Sequence, residues 1–140
     1  MPIHYFSEDI DFHIQNPDNT SHWIKSVISD HSLLLKEINY IFCSDDYLLD
    51  INQTHLKHDF YTDIITFDHS ESKNEIQADI FISVDRVKEN ASERKLSFDE
   101  ELNRVMIHGI LHLLGYNDHT DEEKSSMRRK EDACLSLRKK

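Results

Sequence analysis

The residues best suited to chemistry lie in one stretch of twelve, HGILHLLGYNDH, residues 108–119. The stretch holds three of the chain's ten histidines, His108, His112 and His119, and both of its two glycines, Gly109 and Gly115. His108 and His112 are spaced i, i+4, so on a helix they share one face with Cβ atoms about 6 Å apart. Two imidazoles held in this way can bind one Zn2+, at nitrogen distances of about 2.0–2.1 Å. Gly115 follows the apolar run, where a helix commonly ends in a left-handed residue and glycine adopts that conformation most readily. The chain can then turn back and bring His119 to the face of the other two. Three nitrogen donors with a fourth position open distinguish a catalytic zinc site from a structural one.

An isolated pair of histidines on an apolar helix is most often a satisfied core feature. A glycine and a third histidine after the pair make the ligand reading far more specific. The metzincin peptidases use H-E-x-x-H-x-x-G-x-x-H. Here Gly109 replaces the glutamate that serves those enzymes as general base, and the third histidine comes one residue late. The ligand pattern is shared, but the peptidase base is missing. Glycine inside a helix costs roughly 0.5–1 kcal/mol relative to alanine. Gly109 therefore implies close approach of another backbone or of substrate.

The elements that position this stretch follow from periodicity and capping. Val105, Met106, Ile107, Ile110, Leu111, Leu113 and Leu114 leave the helix before Gly115 almost no polar side, so it is expected to be buried nearly all round. SFDE, Ser97 to Glu100, is a capping box that opens this helix over about 98–114, and TDEE, Thr120 to Glu123, opens a last one to about Leu137. Upstream, Ile3 to Phe12 reads as one or two short strands. Asn19 or Thr20 can cap a helix from about Ser21 to Leu35, with Trp23, Ile24, Val27 and Ile28 on its inner face. Ile38 to Cys43 reads as a strand, Ser44 caps a short helix through Ile51, and Asp63 to Phe67 and Ile76 to Ser83 are strands around a polar turn. Ser83 to Lys95 reads as helix. The expected fold is α+β: one domain over residues 1–140, with a small mixed sheet of about four strands packed by helices, one of them buried and carrying the metal ligands.

Composition narrows the function. With 38% hydrophobic and 31% charged residues the chain is an ordinary globular sequence. No stretch reaches the roughly 18 apolar residues of a membrane span. The N-terminal MPIHYFSEDIDF lacks the basic-then-apolar order of a secretory signal, so a cytoplasmic protein is expected. Cys43 and Cys134 stand far apart and read as reduced, buried thiols. The formal net charge of −11 argues against non-specific binding to membranes or nucleic acid. An RNA substrate would need a local basic face, for which Arg86, Lys88, Arg94, Lys95, Arg104 and the tail from Arg128 are candidates.

The stretch resembles the YbeY family of metal-dependent bacterial endoribonucleases, whose motif is H-G-x-L-H-L-x-G-Y-D-H. His108, Gly109, Leu111, His112, Leu113, Gly115, Tyr116, Asp118 and His119 match if Asn117 is taken as an insertion. Upstream, Ile51-Asn52, TDIITF over 62–67 and ADIFIS over 78–83 are similar to further blocks of the family. The resemblance implies one zinc per chain and cleavage of single-stranded RNA. It also implies maturation of the 3′ end of 16S ribosomal RNA, ribosome quality control, and the small ribosomal subunit as partner, while the acidity of the chain points to a ribosomal protein as a further partner in productive binding. The family often carries a functional arginine after the first block. Here His55-Leu56 occupies the pair, so either Lys57 or His58 supplies the cation or this branch does without it.

The mechanism this suggests is metal-assisted phosphodiester hydrolysis, in which zinc acidifies water and polarises a phosphoryl oxygen. Asp118 is the first candidate for proton transfer, with orientation of a ligand as its alternative role. Asp63 and Asp79 lie in the family-like strand blocks. Two rivals share the histidines: a zinc peptidase-like hydrolase, and a non-catalytic ribosome-binding factor in which zinc is structural.

Overall fold

The computed structural model describes residues 2–56 and 61–138. Its elements, in order, are β1 (Ile3–Ser7), α1 (Pro17–Ser29), β2 (Leu34–Cys43), α2 (Asp45–Leu56), β3 (Ile64–Asp68), β4 (Glu75–Ser83), α3 (Val84–Arg94), α4 (Phe98–Leu113) and α5 (Asp121–Ser136). Four strands form one mixed sheet in the order β1-β2-β4-β3. β1 runs parallel to β2 and β2 parallel to β4, while β3 closes the edge antiparallel to β4. The α+β architecture expected from the sequence is the one observed.

Alternation along the strands sorts side chains onto two faces. Ile38, Tyr40 and Phe42 of β2, with Ile76, Ile80 and Ile82 of β4, meet Trp23, Ile24, Val27 and Ile28 of α1 and the apolar side of α4 in the main core. On the opposite face, Cys43, Leu48 and Ile65 form a smaller cluster under α2, with Tyr47, Ile51, Phe67 and Phe81 at its margin. Two buried bonds tie the layers together. Tyr40 Oη donates to the Met106 carbonyl at 3.1 Å, and Trp23 Nε1 donates to the Cys134 carbonyl at 2.8 Å. Both cysteines are free and buried, and burial pushes the Cys43 thiol up to about 12.

The largest difference from the sequence expectation lies at α1. The helix begins at Pro17, preceded by Asn16 in the left-handed region at φ 52°, and it ends at Ser29 rather than near Leu35. Proline's fixed φ suits the first helical position, so Asn19 and Thr20, the expected caps, lie inside the helix instead. Ser32, at φ 56°, breaks the apolar run, and Leu34 pairs instead with the far end of β4, its N–H donating to the Asn74 carbonyl at 2.9 Å. The apolar residues 33–35 fit a helix as well as a strand. Pairing with β4, distant in sequence, decides between them. Helix α2 also runs a turn past Ile51.

α4 lies against β3 and β4, and Gly109 marks the point of contact. A Cβ there would stand 3.0 Å from Ile64 Cδ1 and 3.4 Å from both Ile80 Cδ1 and Thr66 Oγ1. The close approach seen here is made by strand side chains rather than by backbone. Ile64 Cδ1 is the end of a flexible side chain and can give way to one methyl. Gly109→Ala is therefore expected to change stability by less than about 1 kcal/mol, because the gain in helix propensity offsets the displaced Ile64. Gly109→Val overpacks the contact and is expected to cost about 1–3 kcal/mol in urea denaturation.

Candidate metal centre

α4 is capped at its start by the predicted box: Ser97 Oγ accepts from the Glu100 N–H at 3.1 Å, and the Glu100 carboxylate accepts from the Ser97 N–H at 3.2 Å. At its end Gly115 adopts φ 102°. The Gly115 N–H bonds to the His112 carbonyl and the Tyr116 N–H to the Leu111 carbonyl, each at 3.0 Å. This pair of bonds is the Schellman arrangement, which satisfies orphan carbonyls while reversing the chain. Tyr116 then anchors the returning loop. His31 Nδ1 donates to the Val27 carbonyl at 3.1 Å, and His31 Nε2 meets Tyr116 Oη at 3.0 Å.

The turn brings three donor atoms to one place. His108 Nε2 and His112 Nε2 are 3.0 Å apart, and Asp118 Oδ2 is 3.4 Å from each. Among the described residues, His108, His112 and Asp118 form the group able to hold one metal ion. Two imidazole nitrogens this close, both facing one carboxylate oxygen, are a donor set that a divalent cation fits. His119, the third ligand expected from the sequence, lines the same cavity with Asn52, Thr62, Asp63 and Thr66. It stands outside the three-atom group. Counted without an insertion, Asp118 falls six residues after His112, the spacing of the last metzincin histidine. That count was available in the sequence. Lys57 and His58 lie outside the described residues.

Sequence reasoning missed Glu131 of α5. Its Oε2 accepts from His108 Nδ1 at 2.6 Å, and its Oε1 accepts from Arg104 Nη1 at 2.9 Å. Arg104 Nη2 also donates to Asp132 at 2.6 Å. The clue was an acid on the buried stripe of α5, between Met127 and Cys134. Burial disfavours a charged His108, yet the bond and charge of Glu131 outweigh it and raise the ring's pKa. Burial and the neighbouring His108 together lower that of His112. Burial opposes the Glu131 charge, but its bonds to His108 and Arg104 hold the carboxyl below its ordinary range. Burial also raises Asp63, which accepts from Asn90 Nδ2 at 3.3 Å.

A second cavity, of about 300 Å3, opens on the other side of His108 and Asp118. Asp63 lines both cavities. Four cations, Arg94, Arg104, Lys124 and Arg128, line the second one. Arg94 is held by buried Glu101 through bonds of 3.1 and 3.0 Å, and Arg104 by Glu131 and Asp132. Lys124 and Arg128 form no ion pair with any described residue and face the opening. Arg86, another basic candidate, is committed elsewhere, to Asp45 and Glu89.

A mixed four-stranded sheet backing a helix with convergent histidine and carboxylate donors defines a class of α+β proteins with a candidate metal site beside a cavity. Within that class, the family model described as Endoribonuclease YbeY matches residues 5–138, and the chain belongs to that family. Relatives named Endoribonuclease YbeY include one from Cytophaga hutchinsonii, 50% identical over 98% of this chain and 96% of its own length. Another, from Flavobacterium psychrophilum, is 51% identical over 94% of each chain. The solution structure of a Thermotoga maritima protein superposes with a TM-score of 0.65 at 26% identity, covering 96% of this chain and 87% of that one.

Two expectations follow for the site. Gly115→Val forces a β-branched residue to φ 102°, a strain of about 1–3 kcal/mol at the turn that carries Asp118, and should weaken zinc binding more than Asn117→Ala does. In chelator competition, His112→Ala and Asp118→Ala should each lose more than the roughly 10–100-fold in zinc affinity typical of an outer partner, while His119→Ala keeps most of it. The reverse order for Asp118 and His119 would restore the assignment read from the sequence.

Proposed function

We propose that the chain is a zinc-dependent endoribonuclease that cuts single-stranded RNA, acting on the 3′ end of 16S ribosomal RNA with the small ribosomal subunit as its partner in the cytoplasm. The observation that carries this reading is a three-donor group whose His108 and Asp118 line two cavities, one bordered also by Asn52, Thr62, Thr66 and Asp63, the other by Arg94, Arg104, Lys124 and Arg128 together with carboxylates. His108, His112 and Asp118 would hold the metal. When bound, it supplies Lewis acidity at a phosphoryl oxygen and lowers the pKa of water.

The chain's own residues supply the rest. Lys124 and Arg128 receive the phosphate next to the scissile one. Arg94 and Arg104, neutralised by their carboxylates, shape that wall. Asp63 borders both cavities and has a carboxyl whose proton affinity burial raises, so it is the group placed to carry a proton. Gly109 stands where the peptidases carry their glutamate, so that base is missing here. A site at the end of a half-buried helix admits a flexible strand more readily than a rigid duplex. On a chain of net charge −11, reliance on Lys124 and Arg128 makes binding to free RNA weak and salt-sensitive.

The test uses labelled single-stranded RNA, duplex RNA and small ribosomal subunits, incubated with the parent, with chelator-stripped protein and with His108→Ala. Only the parent should cut, it should spare the duplex, and it should leave casein intact. Cleavage by His108→Ala at the parent's rate would mean a contaminating nuclease. Lys124→Ala combined with Arg128→Ala should raise KM several-fold with little change in kcat. The slope of log affinity against log salt should fall by roughly 0.7 per lost phosphate contact.

A further inference from the structure

The geometry points to Glu131, braced by Arg104, as the positioning residue that fixes which nitrogen of His108 faces the metal. The inference rests on the metal reading above and concerns a residue of α5, outside the motif that carries the donors. A carboxylate can only accept from a ring nitrogen, so the 2.6 Å bond places the hydrogen of a neutral ring on Nδ1. Nε2 then keeps its lone pair, and Nε2 is the atom that stands 3.0 Å from His112 Nε2 and 3.4 Å from Asp118 Oδ2. The opposite tautomer would put a hydrogen among the three donors and leave the Glu131 carboxylate facing a lone pair.

Glu131 is itself held. The side chains of Glu131 and Arg104 are only 7% and 13% exposed, and Arg104 Nη1 occupies the carboxylate's other oxygen. The carboxylate therefore cannot swing away from the ring. The order Asp132–Arg104–Glu131–His108 runs from the surface to the donor group, and each link is a charge-assisted bond of 2.6 to 2.9 Å. Histidine ligands commonly take such a partner, which orients the ring and raises its basicity. Here the partner comes from the last helix, so docking of α5 and readiness of the metal site are linked.

Zinc affinity, measured by chelator competition, and the tautomer of His108, read from long-range proton–nitrogen NMR correlations, test this. In the metal-free parent, at a pH where the ring is neutral, His108 should be the Nδ1–H form. Finding the Nε2–H form overturns the inference without any variant. Glu131→Ala should lose roughly 10–100-fold in zinc affinity. Glu131→Gln keeps an acceptor for the ring and should recover part of that loss, which a purely structural role would not predict. If the alanine variant does not fold, the parent tautomer and the glutamine variant decide. A parent that binds no zinc would refute the metal reading. A parent that binds zinc no better than a folded Glu131→Ala refutes this inference alone.

Discussion

An imidazole on a helix packed against a sheet must have its polar atoms met, because an unsatisfied buried group costs about 1–3 kcal/mol. α4 carries two of them, and the surrounding structure follows from how they are met. Gly109 lets the helix settle onto Ile64, Ile80 and Thr66, which sets the depth of the histidines. The turn at Gly115 brings Asp118 to their Nε2 atoms. α5 brings Glu131 to the remaining nitrogen of His108. Two elements that follow α4 in sequence thus close around it in space, one from the front and one from behind.

The same arrangement accounts for RNA chemistry on an acidic chain. Phosphate recognition needs cations, and several arginines of this protein are already paired with carboxylates. Arg86, Arg94 and Arg104 each lie against carboxylates. Pairing turns Arg94 and Arg104 into rigid walls and leaves Lys124 and Arg128 as the charges available to a ligand at the second cavity. A strand crossing the donor group would meet one side bordered by Asn52, Thr62, Thr66 and Asp63 and another side that carries Lys124 and Arg128. This asymmetry suits directional seating of a backbone better than uniform charge would.

Local signals in the sequence held wherever the physics is local. The capping boxes at Ser97 and Thr120, the helix-ending glycine and the i, i+4 histidines depend on residues within a turn or two of one another, and each sits as read. The mixed α+β architecture was legible from strand and helix periods. Residues 33–35 were not, because their apolar run satisfies either period and only pairing with β4 settles it.

The family, the donor pair and the turn that must follow it can all be read from the order of residues. The YbeY-like blocks are specific, and spacing on a helix is a fixed geometry. The sheet order, the seating of Gly109 against strand side chains, the approach of Asp118 to the donor pair with His119 outside it, and the partnership of His108 with Glu131 come from the packing of the folded chain. The last of these joins residues 23 positions apart, and Arg104 meets Glu131 across 27. No periodicity encodes such distances. They are set by how α5 packs on α4, and that packing is a property of the whole core.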